Sequence, residues 1–364
     1  MRDMRNTIRH SYASEDITVL LTPITIAPID VAEKERLIQS GHAHYSEMIS
    51  EERRPDDRYM AIYEDALNRH AERIAAELAG LALAITVEMA RGRISRQVTL
   101  CSLVRAGVPY GVLLRRALAR LDVDVAHFGV SIIRDRGLDR QAMDYVQAAR
   151  PEADILFVDG WTGKGAISGE LAKAWKALSG KEALLVVLAD PAGHAWLSGS
   201  HEDWLIPSGI LGANVSGLIS RSILKPDLLA PSDFHGAMKV DNLTDIDRSQ
   251  DFVDCITARL DTALKTSLPA TGKRSAYLRV QAAVCVGAIA GRHSVENLNR
   301  IKPGIAEATR AVLRRRPYKV FLRDLDDPDL AALVHLCRQD GIEMEVDPNA
   351  TGPYRAITLI KEAS

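Results

Sequence analysis

The sequence predicts an α/β protein: a parallel sheet flanked by helices, preceded by a helical N-terminal extension and followed by a small C-terminal α/β unit. Three observations predict it. From residue 98, short apolar runs that end in glycine-bearing turns alternate four times with helical segments. Roughly the first ninety residues carry mainly helical spacing, and roughly the last seventy alternate helix and strand again.

The N-terminal part opens with a short apolar segment, "ITVLLTPITI" (17–26). Ile74, Leu78, Leu81 and Ile85 then recur at helical spacing, so that helix lays one face on a core. Between them lies the polar "KERLIQSGHAHYSEMISEERRP" (34–55), with His42, His44, Tyr45 and Glu47 in close order. On extended backbone His42 and His44 project to one side, which suits a metal. No third ligand is identifiable, and an ordinary surface loop accounts for them more simply. His44 is kept as a candidate acceptor contact.

The four core units are "VTLCSLV" (98–104) with "RAGVPYG" and "VLLRRALARL"; "VDVAHFGVSII" (123–133) with "RDRGLDR"; "ILFV" (155–158) with a glycine-rich loop and "AISGELAKAWKAL"; and "LLVVLA" (184–189) with "DPAG". Ligands of parallel sheets bind beyond the carboxyl ends of the strands, where these loops gather into one candidate site. The expected division is 1–92 for the extension, 93–290 for the sheet domain and 291–364 for the terminal domain.

Composition limits the function classes. The 364 residues carry a net charge of −2, with 47% hydrophobic and 26% charged residues, a globular balance with no global pull toward nucleic acid or membrane. Cys101, Cys255, Cys285 and Cys337 lie far apart without a C-x-x-C pair, which argues against a disulfide framework or zinc ribbon and fits a reducing cytoplasm. "MRDMRNTIRHSYASED" lacks the apolar stretch of an export signal, and "LAGLALAITVEMA" is too short to span a bilayer, so no membrane partner is expected.

The stretch "ILFVDGWTGKGAISGEL" (155–171) admits three readings. A Walker A loop needs glycine five positions before Gly163 and a hydroxyl residue after Lys164; Val158 and Gly165 stand there. A dinucleotide fingerprint needs G-x-G-x-x-G, and "GWTGKG" has other spacing.

The segment resembles the phosphoribosyl pyrophosphate loop of type I phosphoribosyltransferases, in which a buried strand ends in acids and a Thr/Gly-rich turn opens a helix. The resemblance gives Asp159 the ribose hydroxyls and Thr162, Gly163, Lys164 and Gly165 the 5′-phosphate. "LVRAGVPYG" (103–111) resembles the pyrophosphate loop, with Arg105, Ala106 and Gly107 facing the leaving group. "SIIRDRGLD" (131–139) occupies the place of the flexible hood, with Arg134 and Arg136 as clamps and Asp135 orienting a nucleophile or metal water. Most family members carry two adjacent acids where this chain has Asp159–Gly160, and a phosphate turn about two residues longer. A type I phosphoribosyltransferase-like sheet is therefore the expected core, and Mg²⁺ the implied cofactor, bridging pyrophosphate and ribose oxygens near Asp159. Asp190 and Trp204 are candidate acceptor contacts beside His44; a turn cap explains Asp190 equally well.

Taken with "KERLIQSGHAHYSEM", "FVDGWTGKGAI" and "IPSGILGANVSGLISRSI", these motifs resemble a narrower bacterial family, covering most of residues 12–225. Its members fuse a phosphoribosyltransferase-like domain to a Pelota-type RNA-binding domain, some carry the cysteine protease label StiP, and they are associated with tellurium-resistance and stress gene clusters. The resemblance implies a transferase from phosphoribosyl pyrophosphate, or a related phosphosugar, to an unidentified acceptor. In the last part, "GIAEATRAVLRRR" (304–316) resembles the G-x-N-E-x-x-[KR] helix start through which Pelota and kink-turn proteins contact RNA. Gly304, Glu307 and Arg310 match, and Ala306 replaces the asparagine. Arg310, Arg314 and Arg315, with Glu307, are the candidate contacts to structured RNA; a solvated basic helix face reads equally well. A homo-oligomer is expected. Two competing functions are a catalytically silent phosphoribosyl and RNA sensor, and a cysteine protease. Against the protease, Cys101 sits mid-strand and no histidine is paired to it by spacing.

Overall fold

A computed structural model describes residues 7–362; the first six residues of the N-terminal reading lie outside it. The core is a six-stranded, all-parallel sheet. Its strands are β1 (Thr18–Val19), β2 (Gln97–Leu103), β3 (Asp124–Val130), β4 (Asp154–Trp161), β5 (Leu184–Ala189) and β6 (Leu197–Ser200). They run in the order β1-β3-β2-β4-β5-β6. β2 is buried from its second residue onward, as expected for a strand covered on both faces. The apolar part of the N-terminal segment is therefore the edge strand of the core sheet, with Thr18 opposite Phe128.

The helices preceding the sheet are α1 (Val31–Gln39) and the 34-residue α2 (Asp57–Ala90). Asp56 caps α2 by accepting from Tyr59 N at 2.7 Å. Ile74, Leu78, Leu81 and Ile85 are all buried on one α2 face. This face packs on α3 (Val108–Ala119) and α6 (Ser249–Thr266). The opposite sheet face is covered by α4 (Arg140–Ala149) and α5 (Ala166–Ser179): Val146 of α4 and Leu171 and Trp175 of α5 share a cluster with Cys101 and Phe157.

The C-terminal unit has β7 (Ile301–Pro303), α8 (Ile305–Arg314), β8 (Pro317–Leu322), α9 (Ala331–Asp340), β9 (Glu343–Val346) and β10 (Ala356–Ile360). Its sheet order is β7-β10-β8-β9. The preceding helix α7 (Ala276–Arg292) packs Cys285 and Ile289 into the same apolar cluster as Phe321, Tyr354 and Ile357. Buried polar contacts tie this unit to the core. Asp203 accepts from Ile305 N (3.1 Å) and Arg355 N (2.7 Å), so a core carboxylate caps α8. Asp329 accepts from Leu205 N at 3.0 Å and pairs with His70. Among the described residues, no helix is long and apolar enough to cross a membrane.

Two connections place the site. From β2 the chain turns to β3 on one side, and from β3 it crosses to β4 on the other. The carboxyl ends of β2 and β4 thus flank the point where strand order reverses, the usual ligand crevice of such sheets.

Candidate functional site

The loop after β2 is held against β4. A Cβ at Gly107 would collide with the Val158 carbonyl, so only glycine allows this approach. The Ser102 hydroxyl donates to the Gly107 carbonyl at 3.1 Å. Arg105 is 5% exposed; it pairs with Glu52 and donates to the Ile219 carbonyl at 2.9 Å, leaving its Nε without a protein partner.

β4 runs further than its apolar run suggests, with Asp159 opposite Val187 and Trp161 opposite Ala189. Asp159 and Gly160 are thus strand residues, and the turn shrinks to Thr162–Gly165. Thr162 is fixed at both ends, its N–H donating to the Ala189 carbonyl (2.9 Å) and its hydroxyl to Asp190. Gly165 adopts φ +88°, and a Cβ there would strike His194. Gly165 offers α5 no side-chain cap, so the first N–H groups of a 14-residue helix point at whatever ligand lies before it.

Above this turn lies a cavity of about 350 Å³, lined by Arg105, Asp159, Thr162 to Ser168 and, from α8, Glu307, Arg310 and Arg314. A volume of this size suits a small ligand. Arg310 and Arg314 are one helical turn apart and so share a face. Arg310 lies over the Trp161 ring and donates from Nε to the Gly209 carbonyl at 3.1 Å. Burial, and then the nearby Arg105, bring the Arg310 guanidinium down to about 10. Arg314 is pushed down by burial and by Arg105 as well, and its Nη2 is buried without a partner. Burial also raises the Asp159 carboxyl to about 7, against the opposing pull of the Gly160 N–H and Arg310. Arg105, Arg310 and Arg314 thus crowd around a helix N-terminus, an arrangement with the charge to attract an anion.

The candidate residues separate clearly. Arg105, Ala106, Asp159, Thr162, Gly163, Lys164 and Gly165 come together in one cavity, and Gly107 shapes its floor without lining it. Lys164 also braces the fold, because its Nζ donates to the Leu298 and Ile301 carbonyls, the latter at 2.9 Å, and so ties the phosphate turn to the C-terminal unit. Arg134 lines an adjoining cavity instead, beside Tyr45. Asp135 and Arg136 are exposed on the hood, where Asp135 pairs with Arg134 (3.5 Å) and Arg136 approaches Glu47 (3.8 Å).

The acceptor candidates lie elsewhere. Asp190 is fully buried, accepting from Thr162 and from the His194 and Ala195 N–H groups at 2.9 Å; it holds the Thr162–Gly165 turn and is not among the residues lining the cavity above it. Trp204 is buried under Arg73 and donates to Ser200 at 3.2 Å. His44 bonds Ser46 (2.8 Å) and His42 bonds Ser40 (2.7 Å); no group of three or more His, Cys, Asp or Glu among the described residues is arranged for a metal.

The alternative of a solvated basic helix face requires a correction. Glu307, Arg310, Arg314 and Arg315 line the cleft between the two units instead of standing on a solvated face. Arg315 is committed to the buried Glu35. A Cβ at Gly163 would meet the Glu307 carboxylate, so the helix start that carries the RNA motif abuts the phosphate turn. Arg221, Lys302 and Glu52 also reach the cleft; Arg221 lies within "IPSGILGANVSGLISRSI" and Glu52 within the polar segment 34–55, neither with a role assigned by its motif. Arg221 does leave a signal, as a single cation in the otherwise uncharged run 204–224.

Residues 10–257 match the family described as tellurite-like stress resistance cysteine protease StiP. The chain belongs to the StiP family. Residues 280–362 match the PELOTA RNA binding domain. A protein of Acinetobacter baylyi named cysteine protease StiP is 44% identical over 364 residues, covering 97% of this chain and 94% of that one. Among solved structures, the hypoxanthine phosphoribosyltransferase of Trypanosoma cruzi overlaps at a TM-score of 0.28 with 13% identity, covering 36% of this chain and 77% of that one. A variant of it complexed with the product IMP overlaps at 0.28, with 13% identity over 37% of this chain and 76% of that one.

Three of the four cysteines of this StiP-family chain, Cys101, Cys285 and Cys337, are buried, which disfavours a nucleophilic thiolate. Cys101 is fully buried, and burial raises its thiol well above the ordinary range. Burial pushes Cys285 up to about 11 and Cys337 up to about 12. Among the described residues the hydrogen bonds of cysteine run to the Ala350 carbonyl and to Arg259, not to histidine.

Proposed function

We propose that the protein is a phosphoribosyltransferase-like enzyme that binds phosphoribosyl pyrophosphate, or a related phosphosugar, and transfers the ribosyl phosphate to a small acceptor. The observation that carries this reading is convergence. An uncapped helix N-terminus after β4 and the Arg105 loop after β2 face one cavity at the strand-order switch, roofed by Arg310 and Arg314. The turn from Thr162 to Gly165 would hold the 5′-phosphate, Asp159 the ribose hydroxyls, and Arg105 with the Ala106–Gly107 backbone the pyrophosphate.

In the transfer, the bond from ribose C1 to a pyrophosphate oxygen breaks and pyrophosphate leaves with the electron pair. A bond forms from the acceptor nucleophile to C1, and the acceptor gives up its proton. Arginines around the leaving group oppose the charge that develops on it. Mg²⁺ would fit as an ion carried in with the pyrophosphate, because the cavity offers the carboxylates of Asp159 and Glu307 only, and among the described residues no group of three or more His, Cys, Asp or Glu is arranged for a metal. When bound, the ion would neutralise charge on the pyrophosphate oxygens.

Calorimetry on the full chain with phosphoribosyl pyrophosphate and Mg²⁺ tests the reading. Binding is expected for the wild type, with a loss of at least about tenfold in Asp159→Asn and Thr162→Ala. No binding, or equal binding by both variants, refutes it.

The name of the Acinetobacter relative favours a second reading, a cysteine peptidase. It asks for an ionisable, accessible thiol with a base beside it. The burial of Cys101 and the absence of a cysteine–histidine bond among the described residues weigh for the transferase. Peptidase activity abolished by Cys101→Ala and kept in Asp159→Asn would reverse that choice.

A further inference from the structure

A second cavity of about 310 Å³ adjoins the first and shares Arg105, Ile167, Arg221 and Arg314 with it. Lys34, Ile38 and Tyr45 line this second space alone. We propose that it is the acceptor subsite and that it takes a small molecule carrying an anionic oxyacid group on an apolar, ring-sized body. The acceptor role rests on the transferase reading; the ligand chemistry stands on the cavity.

Three cations with unspent hydrogen-bonding capacity face one space. Lys34 of α1 is 6% exposed, and its ammonium makes no hydrogen bond or ion pair among the described residues. Arg221 gives one nitrogen to the Met48 carbonyl and lies over the Tyr45 ring, while its Nη1 is buried without a partner. Arg314 Nη2 is likewise unpartnered. Arg221 Nη1 and Arg314 Nη2 are buried donors left unpaired, which is costly, so their grouping with Lys34 around one cavity marks a place for a ligand that accepts hydrogen bonds.

The neighbouring acids have other partners. Glu52 is committed to Arg105 and to the Ala213 N–H at 2.9 Å, Glu35 to Arg315, Glu307 lies 3.7 Å from Lys302, and the exposed Glu51 accepts from Asn242 at 3.3 Å. Burial, with Arg221 next, holds the Lys34 amine down to about 8 against the opposing pull of Glu35. The same space is also lined by the apolar Ile38, Ile49, Leu211 and Leu313. Cations and apolar side chains around one cavity select a ligand with both characters.

The test titrates the full chain with benzoate, phenyl phosphate and benzamide, three ring probes that differ in charge. At least one anion is expected to bind about tenfold or more tighter than benzamide, and the tighter of the two tells carboxylate from phosphate. Lys34→Met should weaken that anion at least fivefold, and saturating pyrophosphate should leave it bound. Equal binding of benzamide, no binding of either anion, indifference to Lys34→Met, or displacement by pyrophosphate would each overturn the proposal. Should Lys34→Met fail to fold, Ile38→Trp, which fills the apolar wall, must abolish anion binding while pyrophosphate still binds; retained anion binding overturns it as well. If the anion binds but phosphoribosyl pyrophosphate does not, the transferase reading fails and the pocket stands.

Discussion

The guanidinium of Arg310, on the first helix of the C-terminal unit, lies 4.7 Å from the ring centroid of Trp161, the last residue of the strand that leads into the phosphate turn. A cation over an indole in a desolvated setting contributes about 0.5–2 kcal/mol. Trp161→Leu should therefore destabilise the folded chain by about that amount. Denaturant unfolding of Trp161→Leu, Arg310→Met and the double variant reads the coupling, and strictly additive losses would show that the pair does not interact.

The contact between Gly163 and Glu307 gives a second expectation. A methyl at 163 must displace the Glu307 carboxylate, which lies 3.7 Å from Lys302. Gly163→Ala should cost about 1 kcal/mol in the wild-type background and much less in Glu307→Ala, the non-additivity expected of touching residues. Unfolding midpoints of the four proteins measure it; equal costs in both backgrounds would place the two residues apart.

Asp159 sets a pH dependence whose sign is fixed by burial. Its folded value of about 7 lies above the ordinary aspartate value near 3.9, so the folded chain keeps a proton that the unfolded chain has released. The carboxyl costs no stability below about pH 4, and stability is lost as pH rises toward and through 7. Asp159→Asn, which cannot ionise, should match the wild type at pH 4 and exceed it at pH 8. A difference that stays constant across that range contradicts the assignment.

The inward-facing RNA motif implies competition. Glu307, Arg310 and Arg314 line the cavity proposed for the phosphosugar, so on that proposal structured RNA can use this helix start only when the donor does not. In a gel shift with structured RNA, phosphoribosyl pyrophosphate with Mg²⁺ should weaken any complex that depends on these residues, and Arg314→Glu with Arg315→Glu should lower donor affinity even without RNA. RNA binding unaffected by donor would place the RNA surface elsewhere.

The sheet is legible in the sequence because β-rich runs ending in glycine turns permit few arrangements, and its loops gather as strand polarity requires. The extension of β4 is not legible: "DGW" has no strand pattern of its own and is held by pairing with Val187 and Ala189. Asp190 is half legible, since a turn acid between apolar runs reads equally as ligand or cap, and only its bonds to Thr162, His194 and Ala195 decide. The basic helix is legible as a motif with two equal readings, RNA contact or a solvated face, and its packing into the cleft removes the second. Periodicity shows which residues share a face but not what that face meets. Lys34 and Arg221 come from segments remote in sequence from the phosphate-turn and helix-start motifs, so only the packing of α1 and the 206–223 stretch joins them to the site.

If the C-terminal helix completes a phosphosugar site begun by the parallel sheet, both of its inward arginines must contribute to donor affinity. Binding of phosphoribosyl pyrophosphate with Mg²⁺ to the full chain, compared with Arg310→Met and Arg314→Met at matched folding, reads this directly. The wild type should bind, and each variant should lose about tenfold or more, the effect expected from removing a charge-assisted contact of about 1.5–3 kcal/mol. Absence of binding by the wild type, or undiminished binding by both variants, would contradict a site shared between sheet and helix.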